Sequence, residues 1–215
     1  MEFTLEQTHE QTQEQTQERT QEQTQTKTKL IIKKTSSFGP ININPNSLVL
    51  CDIDDTLIRY DLTLDDFVKK TRDYLISVND YLDEEYTFCL AKDEFAEYRD
   101  SKCPYMTDKK GWDKMYNQIK ETCSKLIFIT ARSIEYKEIT RKHFESNELN
   151  YSDFDIHYTF EHSMSKATYI QQYINMDGYD HIYFIDDQVS IVKNVKITFP
   201  QIECYIFKYS LQNRS

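Results

Sequence analysis

Apolar residues recur along this chain in short, uninterrupted runs, and polar segments separate one run from the next. Runs of about four to eight apolar residues are typical of strands that are buried on both faces. Five stretches have this pattern and are predicted to be strands: 47–52, 125–130, 155–159, 181–186 and 203–208. Helical patterns lie between the later runs, at about 133–147, 166–175 and 188–194. This alternation predicts an α/β fold in which helices cover both faces of a mostly parallel, five-stranded sheet.

The interval from Leu57 to about Lys110 breaks this rhythm, because it is too long for a simple crossover. Amphipathic helical patterns near 63–78 and 91–101 predict a small helical insert at about 60–108, and a further helix at 111–123 leads to the next strand. The insert is rich in aromatic residues: Tyr74, Tyr81, Tyr86, Phe88, Phe95, Tyr98 and Tyr105. They line a substrate pocket in one interpretation and form the insert's own core in the other.

The N-terminal segment has a different composition. From Glu6 it repeats a four-residue unit of Glu, Gln or Arg, Thr, and Gln or His, which provides no apolar face. Such a sequence buries too little apolar surface to offset the entropy cost of ordering, so residues 1–35 are predicted to be a disordered tail. A partner-binding or solubilising tail is the alternative. Residues 36–46 contain Gly39, Pro40 and Pro45 and are predicted to be a linker, with the folded domain at 47–215.

Charge and hydropathy restrict the class of protein. The formal net charge is −10 and the isoelectric point is about 5.0, so the sequence has no strong signal for binding to nucleic acid or to an anionic membrane. No apolar run approaches the roughly 20 residues of a membrane span, and the polar N-terminus lacks a signal-peptide hydrophobic region. Five cysteines without CxxC spacing indicate reduced thiols. We therefore expect a soluble, cytoplasmic protein, and we make no prediction of its oligomeric state.

Two acidic motifs directly follow predicted strands. Asp52 and Asp54 come after the first apolar run, and Asp186 and Asp187 follow the run Ile-Tyr-Phe-Ile. In open α/β sheets the ligand site lies at the carboxyl ends of the strands, so both motifs are expected at one rim. Mg²⁺ prefers oxygen ligands of this kind, together with water and substrate phosphate. A carboxylate such as Asp52 can attack phosphorus, and Asp54 can act as acid and base. The alternative is an acidic turn that caps a helix.

Two further segments supply candidate phosphate-binding groups. Thr130 follows the second predicted strand, and its hydroxyl and the adjacent amide of Ala131 are donors at the expected start of a helix. Lys166 lies at the expected start of another helix, where its ammonium can neutralise phosphoryl charge. In the alternative interpretation, Thr130 only caps a helix.

These four segments, in this order, resemble the motifs of the haloacid dehalogenase-like (HAD) superfamily: DIDDT, FITAR, Lys166 and FIDDQ. The resemblance spans residues 47 to about 208. Within the superfamily, the wording of the motifs is similar to that of the capped acid-phosphatase-like branch. It implies a Rossmann-like three-layer sandwich, a helical cap inserted after the first strand, and dependence on Mg²⁺. It further implies Asp52 as nucleophile, Asp54 as acid and base, Thr130 and Lys166 on phosphate, and Asp186 with Asp187 on the metal.

We therefore expect a Mg²⁺-dependent phosphomonoester hydrolase that forms an aspartyl-phosphate on Asp52 and acts on a small phosphorylated metabolite or a nucleotide. The metal set predicted for it is Asp52, Asp54, Asp186 and Asp187. Two alternatives stay open: a phosphoprotein phosphatase, which the insert disfavours, and a non-catalytic binding module that uses the repeat tail. The five histidines lack paired ligand spacing, and the chain has no Gly-rich nucleotide loop.

Overall fold

The computed structural model describes residues 30–78 and 83–210. Its strands are β1 (Ile32–Thr35), β2 (Ser47–Cys51), β3 (Ile58–Arg59), β4 (Tyr105–Met106), β5 (Lys125–Thr130), β6 (Asp155–Tyr158), β7 (His181–Asp186) and β8 (Glu203–Phe207). Its α-helices are α1 (Leu64–Ser77), α2 (Glu84–Ser101), α3 (Lys109–Glu121), α4 (Lys137–Ser146), α5 (Lys166–Tyr173) and α6 (Val189–Thr198). Short 3₁₀ turns cover Ile134–Tyr136, Tyr151–Asp153 and Phe160–His162.

Six strands form one central sheet in the order β1-β8-β7-β2-β5-β6, and every neighbouring pair in it is parallel. Successive residues of a strand face opposite sides of the sheet. In β2, Val49 and Cys51 join one buried apolar cluster, with α3 and α4, and Leu48 and Leu50 join the other, with α5 and α6. Burial on both faces explains the uninterrupted apolar runs. The predicted Rossmann-like three-layer α/β sandwich is thus confirmed.

The sheet has six strands where the sequence predicted five. The additional strand is β1, which was assigned to the tail, and it pairs with β8 over Ile32–Thr35. Its sequence is Ile-Lys-Lys-Thr, and both lysines are exposed because β1 lies at the edge of the sheet. An edge strand with two exposed lysines lacks the apolar run by which the other strands were found. The rest of the predicted tail, residues 1–29, lies outside the described residues.

The predicted linker at 36–46 packs against the core. Phe38, Ile41 and Ile43 are almost fully buried, and the ring of Phe38 stacks on Phe207 with 4.7 Å between centroids. The buried carboxylate of Asp108 accepts hydrogen bonds from the Ser37 hydroxyl at 2.5 Å and from the Phe38 amide at 2.8 Å. The polar residues of this segment, from which a linker was predicted, are interspersed with three buried apolar side chains. The segment therefore belongs to the folded domain and is not a linker.

The insert consists of β3, α1, α2 and β4, with β3 and β4 paired antiparallel at its base. Thr63 begins α1 with a capping box, in which its side chain and that of Asp66 each bond the other's backbone amide. Phe95 and Tyr98 contact the rings of Tyr60 and Phe67, so these two aromatics form the insert's own core. Three of the remaining aromatics are exposed at the surface: Tyr74, Tyr86 and Phe88. Tyr81 lies outside the described residues.

None of the helices in the described part of the chain has the length and apolar character needed to cross a lipid bilayer. All five cysteines are free thiols, as the absence of paired spacing indicated.

The role of β1 predicts different outcomes for two N-terminal truncations. Removal of residues 1–35 deletes β1, and with it the bond that the Lys208 amide donates to the Thr35 carbonyl at 2.7 Å. We expect this deletion to lower the free energy of unfolding by about 2–4 kcal/mol, because ladder hydrogen bonds and the partly buried Ile32 are lost. Removal of residues 1–29 is the matched control and should change the free energy of unfolding by less than about 0.5 kcal/mol. Urea unfolding measures both, and equal stability of the two truncated proteins would contradict the assignment of β1.

Candidate functional site

The carboxyl ends of β2 and β7 bring Asp52 and Asp186 to the same rim of the sheet. The strands are neighbours with Cys51 opposite Ile185, and the Asp52 amide donates to the Ile185 carbonyl at 2.9 Å. Lys166, the first residue of α5, extends its ammonium between the two carboxylates. It contacts Asp52 Oδ1 and donates to Asp186 Oδ2 at 2.8 Å. The structure therefore unites three residues that the sequence predicted to act together.

All three members of this buried triad are more than nine-tenths buried, so their charges interact strongly. Burial raises the pKa of Asp52 well above its ordinary value, and the Asp186 carboxylate adds to this while the Lys166 ammonium opposes it. Burial lowers the pKa of Lys166, but the two carboxylates outweigh that effect and raise it overall. When both carboxylates are ionised, the triad carries a net negative charge, which is complementary to a bound cation.

Asp54 lies two residues after Asp52 but belongs to a second set of contacts. Arg132 donates to both of its carboxylate oxygens, from Nε at 2.8 Å and from Nη2 at 2.7 Å. The Arg132 side chain is only 3% exposed, and that of Asp54 is 32% exposed. Burial raises the pKa of Asp54, but the charge and hydrogen bonds of Arg132 outweigh burial and lower it below the ordinary value. Asp54 is therefore held in its ionised form.

Arg132 is also tied to the helix that follows it and, through His143, to the insert. Its Nη1 donates to Thr140 Oγ1 at 2.9 Å and to His143 Nδ1 at 3.3 Å. The Tyr60 hydroxyl, at the start of the insert, lies 3.1 Å from the same His143 nitrogen. We call Asp54, Arg132, His143 and Tyr60 the arginine network. Arg132, His143 and Tyr60 were not predicted as site residues. The sequence signal for Arg132 was its position two residues after the strand-ending Thr130.

Thr130 ends β5, the other neighbour of β2, and is fully buried. Its hydroxyl oxygen accepts a hydrogen bond from the Arg132 amide at 3.2 Å, and its carbonyl accepts from the Thr159 amide at 2.9 Å. Ala131 is exposed at the rim. The chain then enters a 3₁₀ turn capped by Ser133 before α4 begins, where a continuous helix over 133–147 was predicted.

Asp187 does not share the position of Asp186. It is partly buried and lines an open groove together with Gln188 and Lys208. Burial, followed by the charges of Asp186 and Asp55, raises the pKa of Asp187 to about 7. Its backbone carbonyl accepts a hydrogen bond from the Lys208 ammonium at 3.1 Å. Of the two adjacent carboxylates, Asp186 is the one that the Lys166 ammonium contacts.

The donor set can be compared with the requirements of Mg²⁺. Among the described residues, no group of three or more His, Cys, Asp or Glu side chains is arranged to hold a metal ion. Mg²⁺ usually takes one or two carboxylates, with water and substrate phosphate completing its shell. Asp52 and Asp186 meet that requirement, and Asp187 adjoins them. Both oxygens of the Asp54 carboxylate are engaged by Arg132, so its side chain does not join them in this arrangement.

Comparison with known proteins gives no family assignment. No family model matches the chain, and no curated protein matches it. A chain in the solved structure of the "Pnkp1/Rnl/Hen1 complex" superimposes with a TM-score of 0.43 at 14% sequence identity. The match covers 77% of this chain and 48% of the other, so this chain spans about half of the other's length. A likeness of this extent assigns no function to the protein.

The arginine network predicts a specific pH dependence of stability. Burial and the nearby Arg132 lower the pKa of His143 to about 4, whereas an unfolded histidine titrates near 6.5. Between these values the unfolded chain binds a proton that folded His143 does not, so the free energy of unfolding falls as the pH is lowered. We expect His143→Gln to lose this contribution, so that its stability declines by roughly 2–3 kcal/mol less than wild type between about pH 7 and about pH 4.

Urea unfolding at both pH values, in EDTA, measures this difference. Asp187 changes the stability in the opposite sense as the pH falls, because its raised pKa lets the folded state hold a proton that the unfolded state releases. This contribution is the same in wild type and in His143→Gln, so it cancels in the comparison. His181→Gln, at an exposed position in β7, is the control and should follow wild type. Equal pH slopes for wild type and His143→Gln would contradict the assignment.

The pair of Arg132 and Asp54 predicts a measurable coupling energy. We expect a double-mutant cycle with Arg132→Gln and Asp54→Asn to give about 1–3 kcal/mol, because Arg132 is buried and its fork binds both carboxylate oxygens. The exposed pair of Arg141 and Glu145 provides a matched control, with side chains 40% and 50% exposed. Its coupling should stay below about 0.5 kcal/mol. Similar coupling for the two pairs would show that the buried pair has no special role.

Proposed function

We propose that this protein is a Mg²⁺-dependent phosphomonoester hydrolase of the HAD type, acting on a small phosphorylated metabolite or a nucleotide. The observation that carries the proposal is the Lys166 ammonium held between the buried carboxylates of Asp52 and Asp186. A buried site that combines a nucleophilic carboxylate, a second carboxylate and a fixed cation suits the transfer of a phosphoryl group. The order of the motifs along the chain supports the same class.

In this proposal Asp52 is the nucleophile. One of its oxygens attacks phosphorus, the bond from phosphorus to the leaving oxygen breaks, and an aspartyl-phosphate forms. Water then attacks phosphorus, which releases inorganic phosphate and restores Asp52. Lys166 lies against the attacking carboxylate, where its charge stabilises the phosphoryl oxygens. The Thr130 hydroxyl and the Ala131 amide donate hydrogen bonds to the same oxygens.

Asp54 exchanges the protons in this scheme. An acid that protonates the leaving oxygen in the first step becomes the base that accepts a proton from water in the second. The contact with Arg132 keeps Asp54 ionised, which favours the second step and opposes the first. The first step therefore requires this ion pair to loosen.

Mg²⁺ would be held by the carboxylates of Asp52 and Asp186, with Asp187 beside them, and would supply positive charge to the phosphoryl oxygens. The net negative charge of the buried triad supports a cation at this position. Arg132 engages the carboxylate of Asp54, so of the predicted metal set this residue would have only its backbone carbonyl to offer.

The decisive test is the hydrolysis of an aryl phosphate by wild type and by Asp52→Asn. We expect the variant to lose at least about three orders of magnitude in kcat, equivalent to about 4 kcal/mol, because an amide cannot form the aspartyl-phosphate. Addition of EDTA should abolish the wild-type rate, and Mg²⁺ should restore it. Asp177→Asn, at an exposed position remote from the rim, is the control and should retain full turnover.

Unfolding curves of Asp52→Asn establish whether the variant remains folded. Turnover that survives both Asp52→Asn and EDTA would refute the mechanism. Wild-type protein that binds phosphate but turns over no phosphomonoester would instead favour the non-catalytic binding module.

A further inference from the structure

An open groove runs past Asp187, the residue that follows Asp186 of the buried triad, and extends along the first turn of α6. Its first part, of about 420 Å³, lies between the base of the insert and the end of β8 and is bordered by Asp55, Arg59 and Tyr209. Its second part, of about 580 Å³, follows the first turn of α6 and is bordered by Lys193 and Lys208. Asp187 and Lys208 line both parts, so the two form one continuous surface. In the proposed function, a leaving group that departs from the rim on this side enters the groove.

The first part of the groove has no excess of positive charge, because Arg59 and Lys208 border it together with the carboxylates of Asp55, Asp65 and Asp187. The Arg59 guanidinium lies 3.3 Å from Asp55 Oδ1 and 4.7 Å from the centroid of the Tyr209 ring. These contacts hold Arg59 against the wall and balance its charge with a carboxylate. The first part is therefore suited to an uncharged portion of a ligand.

Positive charge is in excess in the second part, because Lys193 and Lys208 border it with a single carboxylate, that of Asp187. The Lys208 ammonium donates to the Asp187 backbone carbonyl, which carries no formal charge, and Lys193 is exposed and forms no ion pair with any described residue. The first turn of α6 borders the same part, and its cap residue Gln188 donates its backbone amide to Asp186 Oδ1 at 2.8 Å and makes no side-chain capping bond. The amino end of a helix favours anions. In a chain of net charge −10, this end of the groove is a local site for a negative group.

We propose that the substrate carries a second phosphate, beyond the one that is hydrolysed, and that Lys193 and Lys208 bind it. This inference rests on the proposed function and specifies its substrate class as small bisphosphorylated metabolites or nucleotides. The first phosphate lies at the buried triad, the uncharged part of the molecule occupies the groove beside Arg59 and Tyr209, and the second phosphate lies along the first turn of α6.

Non-hydrolysable probes test this geometry without requiring turnover. We expect alkane bisphosphonates of one favoured chain length to bind wild-type protein about tenfold more tightly than the alkyl monophosphonate of the same length, measured by calorimetry with Mg²⁺ present. Added salt should reduce this advantage, because the two lysines are accessible to solvent. A set of increasing chain lengths acts as a ruler for the distance between the two phosphate positions.

The variants Lys193→Ala and Lys208→Ala should each bring the ratio of the two affinities towards one. Lys110→Ala removes the same charge from an exposed position on α3 and should preserve the wild-type ratio. Lys193→Ala alone keeps the test decisive if Lys208→Ala fails to fold, since Lys193 is exposed on α6.

Three results would overturn the inference. They are equal affinity for bisphosphonates and monophosphonates at every chain length, an affinity ratio that is unchanged in Lys193→Ala, and tighter binding of a phosphorylated oligonucleotide than of every bisphosphonate. The expected binding pattern in a protein that hydrolyses no phosphomonoester would support the groove as a bisphosphate site and refute the proposed catalysis. The two proposals therefore fail separately.

Discussion

The position of Lys166 between Asp52 and Asp186 is the constraint on which the arrangement of the rim depends. Three charged groups are buried together, and removal of one partner from such a set leaves an uncompensated charge, which typically costs about 3–5 kcal/mol. The contact requires β2 beside β7 and the first turn of α5 above both strand ends. The Ser165 hydroxyl accepts a hydrogen bond from the Thr168 amide and fixes the start of that helix. The cap of α5 and the order of the strands in the sheet together fix the positions of the three charged groups.

The arginine network lies beside this ion cluster and connects the rim to the insert. Arg132 joins Asp54 at the rim to His143 in α4, and Tyr60 joins His143 to the aromatic core around Phe95. A displacement of the insert that moves Tyr60 would therefore change its contact with His143, which shares Arg132 with Asp54. Lys166 belongs to the other ion cluster, which rests on the sheet and α5.

The sequence predicted those parts of the fold that have a strong local pattern. The five strands with apolar runs were predicted to within one residue at each end, whereas β1 was missed because an edge strand containing Lys33 and Lys34 has no such run. The same holds for the site. Order along the chain brought Asp52, Asp186 and Lys166 together, since parallel strands end at one rim. The contact of Arg132 with Asp54 spans 78 residues and depends on the χ angles of a buried side chain, which no local pattern encodes.

Two carboxylates that are two residues apart in the chain therefore have different environments. Asp52 is buried against Asp186 and shares a single ammonium with it, so its pKa is raised, whereas Asp54 has a guanidinium fork to itself, so its pKa is lowered. Separation of the pKa values of neighbouring acids is one way in which a site gives them different chemical roles. Here the separation arises because Asp52 contacts Lys166 at the start of α5, whereas Asp54 contacts Arg132, which also binds Thr140 of α4. A cation held by Asp52 and Asp186, as proposed, would add positive charge on their side, so it would lower the pKa of Asp52 and act much less on Asp54.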